Sequence, residues 1–162
     1  MTAWEIESRS WGELIQPLSS HAMRVLCLDA IGLCLASLRP SPEEALGARS
    51  ASLARRGLDL LRQADDSSRA QPDGEFLDSL RALREGDHSP VVASIVAALA
   101  EYAGALSAGL DASNVVVVMS ACYEAVLHSE RTPRVTAAGH GDQNLTRLIT
   151  AQRGLINAVA LA

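Results

Sequence analysis

Polar side chains are so sparse between Ser89 and Arg131 that SPVVASIVAALAEYAGALSAGLDASNVVVVMSACYEAVLHSER reads as two helices, apolar on nearly every side and hinged at Gly109 to Asp111. Val91, Ile95, Leu99, Tyr102 and Leu106 recur at spacings of three and four, which marks the inner face of the first helix. The β-branched run Val115 to Val118 suggests a strand when read alone. It continues, however, into Met119, Tyr123, Val126 and Leu127 at helical spacing, and so predicts a second helix. Ser89 followed by Pro90 is a helix start, Gly109 a stop, and Asp111 or Ser113 the next cap. The pattern predicts an antiparallel hairpin over about 89–131 that the rest of the chain must cover.

The other segments supply that cover. Residues 1–18 hold Trp4, Ile6, Trp11, Leu14 and Ile15 with Pro17 behind them, which predicts one or two short turns docked through their tryptophans. From Ser20 as N-cap, HAMRVLCLDAIGLCLASL is apolar on nearly every side until Arg39 and Pro40 end it. Ser41-Pro42-Glu43-Glu44 then starts an amphipathic helix, with Leu46, Leu53, Gly57, Leu60 and Leu61 inward and Arg49, Arg55, Arg56, Asp59 and Arg62 outward. Residues 63–73, QADDSSRAQPD, predict a surface loop. Phe76, Leu77, Leu80 and Leu83 share one face of a short helix closed by Gly86. Residues 132–141 read as a second loop, after which Asp142 caps a final helix striped by Leu145, Leu148, Ile149, Gln152, Leu155, Ile156 and Val159. The expectation is an all-α fold: one domain over residues 1–162, a bundle of six or seven helices around the central hairpin.

Composition narrows the class further. Large aromatic residues make up only 3% of a chain that is 48% hydrophobic, which suits close-packed helices more than a β-sandwich. All 14 basic residues are Arg, a mark of a GC-rich bacterial genome. A net charge of −5 without a dense basic cluster argues against nucleic acid and against anionic lipid as partners, and leaves a basic protein partner open. Residues 91–110 have the length of a membrane span but carry Glu101 near the middle, which predicts a buried helix instead. Cys27, Cys34 and Cys122 lie in apolar runs with no CxxC spacing, and the first residues lack a signal-peptide pattern; both point to a cytoplasmic protein.

Candidate chemistry is thin. Ser120, Glu124 and His128, at i, i+4 and i+8, lie along one side of the second hairpin helix, and Ser94 and Glu101 share a side of the first. Facing across the hairpin, with Glu101 level with Ser120, they form a polar groove of the kind used for metals or acid/base pairs. A solvated stripe explains the same spacing. The di-iron pattern of two Glu-x-x-His helices is absent, and no metal or other cofactor is expected. Asp29, flanked by apolar residues, needs exposure or a partner from another helix, because Arg24 faces elsewhere. His140, in AGHGDQN, forms a weak phosphate-nest pattern that a loop and a cap also explain. Trp4 and Trp11 either dock on their own domain or serve as exposed anchors for another protein.

Three segments carry a resemblance: the apolar helix ending in Leu38-Arg39-Pro40, the DASNVVVVMSACYEAVLHSE helix, and the closing LITAQRGLINAV. Together they resemble small all-helical bacterial proteins that act as immunity or accessory partners in toxin systems. The resemblance lies in pattern, transfers no functional residue, and implies a non-catalytic protein that binds another protein. Three functions therefore stand: a non-enzymatic protein-binding module; a helical-bundle enzyme or ligand binder using Glu101, Glu124 and His128; and a structural homo-oligomer built through the final helix.

Overall fold

The computed structural model describes residues 1–66, 72–131 and 141–161. Helix α1 (Ala3–Glu7), a 3-10 turn (Ser8–Ser10) and α2 (Trp11–Ile15) form the N-terminal segment. They are followed by α3 (Ser20–Ser37), α4 (Pro42–Leu46), α5 (Ala48–Asp66) and α6 (Gly74–Gly86). The hairpin is α7 (Pro90–Ala108) and α8 (Ala112–Glu130), and α9 (Gly141–Ala160) closes the fold. The described residues are all helix and connection, with no strand.

Capping chemistry sets most of the helix starts. Ser89 accepts a hydrogen bond from the Val92 amide ahead of Pro90, and Asp111 exchanges two bonds with Asn114, one in each direction, in a capping box. Gly109 ends α7 with φ of 103°, a backbone region that favours a residue without Cβ. At α3 the cap is Ser19, one residue earlier than the sequence suggests, and its side chain takes the Ala22 amide.

Between residues 41 and 66 the expected single helix is two. Ser41 and Pro42 start α4 as their pattern predicts, but Gly47, at φ of 84°, turns the chain after five residues. Helix α5 then restarts at Ala48 and runs to Asp66, so residues 63–66, assigned to a loop from their polarity, complete its last turn. Two of the other expectations also change. Leu77, assigned to the inner face of α6, points outward, whereas Phe76, Ser79, Leu80 and Leu83 are buried. Gly141 belongs to α9, and the rest of the 132–141 loop, with His140, lies outside the described residues.

One contiguous set of buried side chains joins the helices. Helix α8 occupies its middle: it packs along α7 and α3 and also meets α9 and α2, while α5 and α6 cover the other side of α7. Ala93, Ala97, Gly104 and Ala108 of α7 stay exposed between these contacts. Helices α3 and α7 are long and apolar enough to cross a membrane, and about half of each, 44% and 56%, is buried inside the protein.

Candidate functional site

The polar line expected along the hairpin does not close into a groove. Ser120 and His128 are half-buried and Glu124 is exposed, all on the side of α8 turned away from the core. Glu101 turns instead toward the start of α8, where its Oε1 accepts a hydrogen bond of 3.0 Å from Asn114 Nδ2. Asn114 lies six residues before Ser120, about 9 Å along the helix, so the expected level with Ser120 is not the one adopted. Ser94 is buried. Among the described residues no hydrogen bond or ion pair joins Glu101, Glu124 and His128, and no three His, Cys, Asp or Glu side chains are grouped to hold a metal ion.

Among the described residues, the hairpin presents an exposed surface of small side chains. The outward positions of α7 are Ala93, Ala97, Gly104 and Ala108, and those of α8 are Ser113, Val117 and Glu124. Val117 is 47% exposed, the largest apolar side chain on this face. The Glu101–Asn114 bond ties the edge of one stripe to the edge of the other, so the two stripes adjoin. No arginine occurs between Arg84 and Arg131, so the hairpin itself carries only carboxylates: Glu101, Glu124, Asp111 at the turn and the buried Glu130.

Trp4 and Trp11, expected either to dock or to stand exposed as anchors, are both buried against the protein's own helices. Trp4 packs edge-on against Trp11, with ring centroids 5.7 Å apart, and stacks on Tyr123 of α8 at 5.9 Å. Its Nε1 donates to Gln152 Oε1 at 2.9 Å, and Gln152 Nε2 donates to the Met119 carbonyl at 3.0 Å. Gln152 is buried in the stripe of α9 because this relay satisfies both ends of its amide.

A second polar node, invisible to sequence reasoning, holds three helix ends together. Glu130, 4% exposed at the end of α8, accepts a hydrogen bond from Asn144 Nδ2 through Oε1. The same amide nitrogen donates to the Ser37 carbonyl at the end of α3, and Arg39 Nη2 donates to Asn144 Oδ1 at 3.3 Å. The Arg39 amide also donates to Ser129 Oγ. Among the described residues, Glu130 Oε2 and the Tyr102 hydroxyl are buried without a hydrogen bond. Burial pushes the Tyr102 phenol above its ordinary range.

The three cysteines are free and buried as their apolar runs predict. Burial holds the Cys27 thiol above its usual range, and a hydrogen bond with Cys34 followed by burial does the same for Cys122, which opposes thiolate chemistry in all but the most forcing conditions. Asp29 is half-exposed and faces Arg62 of α5, a partner from another helix. His21 and His88 are exposed.

No protein-family model, no curated protein and no solved structure significantly matches the chain.

Proposed function

We propose that the chain is a single-domain, cytoplasmic helical bundle that binds another protein without catalysing a reaction, in the manner of an immunity or accessory protein. The observation that supports the reading is the outer face of the α7–α8 hairpin, where Ala93, Ala97, Gly104, Ala108 and Val117 meet solvent. Small side chains let a second helix approach closely, because interaxial distance is set by the residues at the contact. Contiguous exposed apolar surface is one mark of an interaction site. Glu101 at the seam between the two stripes and Glu124 among the outward positions of α8 make the face acidic, so a partner helix that carries basic side chains among its apolar ones is complementary. Both membrane-length helices act as core helices in this reading, since each contributes its large side chains to the shared interior.

The test is a pair of charge insertions at the centre of the face. The partner is first identified by stoichiometric co-purification with the tagged protein, then titrated against Ala97→Arg and Val117→Arg. Each variant is expected to keep the wild-type unfolding midpoint within a few degrees and to lose at least roughly tenfold in affinity, as a desolvated like charge costs more than about 1.4 kcal/mol. Wild-type affinity in both variants would remove the hairpin from the interface. Binding in which only variants of α9 fail would move the reading to an interface through the final helix.

A further inference from the structure

A cleft of about 290 Å³ runs between α3, α4 and α5, with Leu35, Pro42 and Leu58 among its apolar walls and Arg55, Asp59 and Arg62 on its α5 side. These charges are not equivalent. Arg55 is engaged by Glu43 of α4 in an exposed ion pair. Arg62 has only Asp29 opposite, at 3.9 Å, beyond hydrogen-bonding length, and makes no hydrogen bond among the described residues. Asp59 likewise takes no hydrogen bond or ion pair there, and it precedes Arg62 by three residues, so the two side chains are neighbours on one helical face. The Arg62 guanidinium lies against the α3 backbone where Gly32 leaves space: a Cβ on Gly32 would stand 2.8 Å from Arg62 Nη2. The cleft therefore offers a cation held in place, an anion beside it and an aliphatic wall.

We infer that this cleft binds an aliphatic α-amino acid in its zwitterionic form. The carboxylate takes the open donors of Arg62, whose planar fork matches it, the ammonium takes Asp59, and the side chain covers Leu35, Pro42 and Leu58. A simple anion would meet repulsion from Asp59 and from Asp29 opposite Arg62, and a simple cation repulsion from Arg62 and Arg55, so the mixed charges select a ligand that carries both signs. The volume is at the lower edge of ordinary ligand sites, which suits a small metabolite.

The experiment is an NMR titration of the full-length protein with L-leucine, following the Gly32 amide and the Arg62 Nε signal. Leucine is expected to shift both saturably. Glycine should bind more weakly, and 4-methylpentanoate and 3-methylbutylamine, each lacking one of the two charges, should give no saturable shift over the same range. Asp59→Asn and Arg62→Gln are each expected to weaken leucine binding by roughly tenfold or more. Gly32→Ala pushes aside only the flexible end of Arg62, so it should leave the unfolding midpoint nearly unchanged while weakening leucine to a similar degree. The inference is overturned if leucine produces no saturable shift, if either single-charge analogue binds as well as leucine, or if Asp59→Asn binds like the wild type.

Discussion

Helices α5 and α7 are both 19 residues long and touch each other, yet they meet water in opposite ways. Helix α5 turns Ala54, Leu58 and Leu61 inward and exposes Arg49, Arg55, Arg56 and Asp59. Two of these charges are paired, Arg55 with Glu43 and Arg56 with Glu75. Helix α7 buries Ile95, Leu99 and Tyr102 to the same depth but exposes Ala93, Ala97 and Gly104, with one carboxylate, Glu101, at the margin. The contrast shows that an apolar-all-round sequence does not by itself mean a helix covered on all sides. Side chains as small as Ala and Gly add so little apolar area that an open face costs little in water, and the helix keeps a surface into which another can settle closely.

The sharpest way to test the contrast is to cut each helix at its most characteristic position. Leu99 is buried on α7, where its Cδ1 faces Gly57 of α5, and a Cβ on Gly57 would come within 3.6 Å of it. Leu99→Ala removes buried methyls from a site with little room to collapse and is expected to cost about 2–5 kcal/mol in urea unfolding. Arg56→Ala on α5 breaks an ion pair whose partners are both more than half exposed, and should cost no more than about 1 kcal/mol. Equal costs would mean that α5 and α7 are not anchored as differently as their interiors indicate.

How far the sequence discloses this arrangement depends on the range of the interaction. Features settled within one helical turn are legible: the Ser89-Pro90 start, the stop at Gly109 and the Asp111 cap all form where the residues place them. The break at Gly47 was hidden because Leu46 and Leu53 keep a helical spacing across it, and only the positive φ of Gly47 separates α4 from α5. Polar residues at 63–66 suggest a loop, yet Asp65 is drawn into α5 by its ion pair with Arg24 of α3 at 2.7 Å. Contacts between distant segments leave no local trace. Trp4 and Gln152 are 148 positions apart, and nothing near either one announces the bond between them. The Glu101, Glu124 and His128 line failed for a related reason: periodicity gives the side of a helix but not which neighbour that side meets, and here Asn114 claims Glu101 while Glu124 stays in water.

A smaller effect probes the open face itself. Gly104 lies in the interior of α7 on its exposed side, and a Cβ there would have nothing within 4 Å. Alanine restricts the unfolded chain and favours helix, so Gly104→Ala is expected to stabilise by about 0.5–1 kcal/mol. The outcome sharpens the comparison, since a methyl group can add stability at Gly104 only if that face is unobstructed. A destabilising Gly104→Ala would show the position to be packed against something, and would close the surface on which the binding proposal rests.

The smallest effect concerns how the helices begin. Helix α5 follows a positive-φ glycine, whereas α8 starts at a carboxylate: the backbone amide of Asn114 and, next, the Ser113 side chain hold the Asp111 carboxyl below its ordinary range. A group whose pKa is lower in the folded than in the unfolded state adds stability that is fully present above its unfolded pKa, near 4 for aspartate, and that disappears as pH falls through the folded value. Asparagine also caps helices well but carries no charge, so Asp111→Asn keeps the cap and removes the titration. Urea midpoints for the two proteins between pH 6 and pH 2 should differ most at the upper end and converge below about pH 4. Glu5 and Glu43 are also held low, by Thr2 and by Arg55, but they are common to both proteins and cancel in the difference. A gap that stays constant across the range would mean that the Asp111 carboxylate gains nothing from the amides at the start of α8, and that the hairpin turn is held by Gly109 and side-chain packing alone.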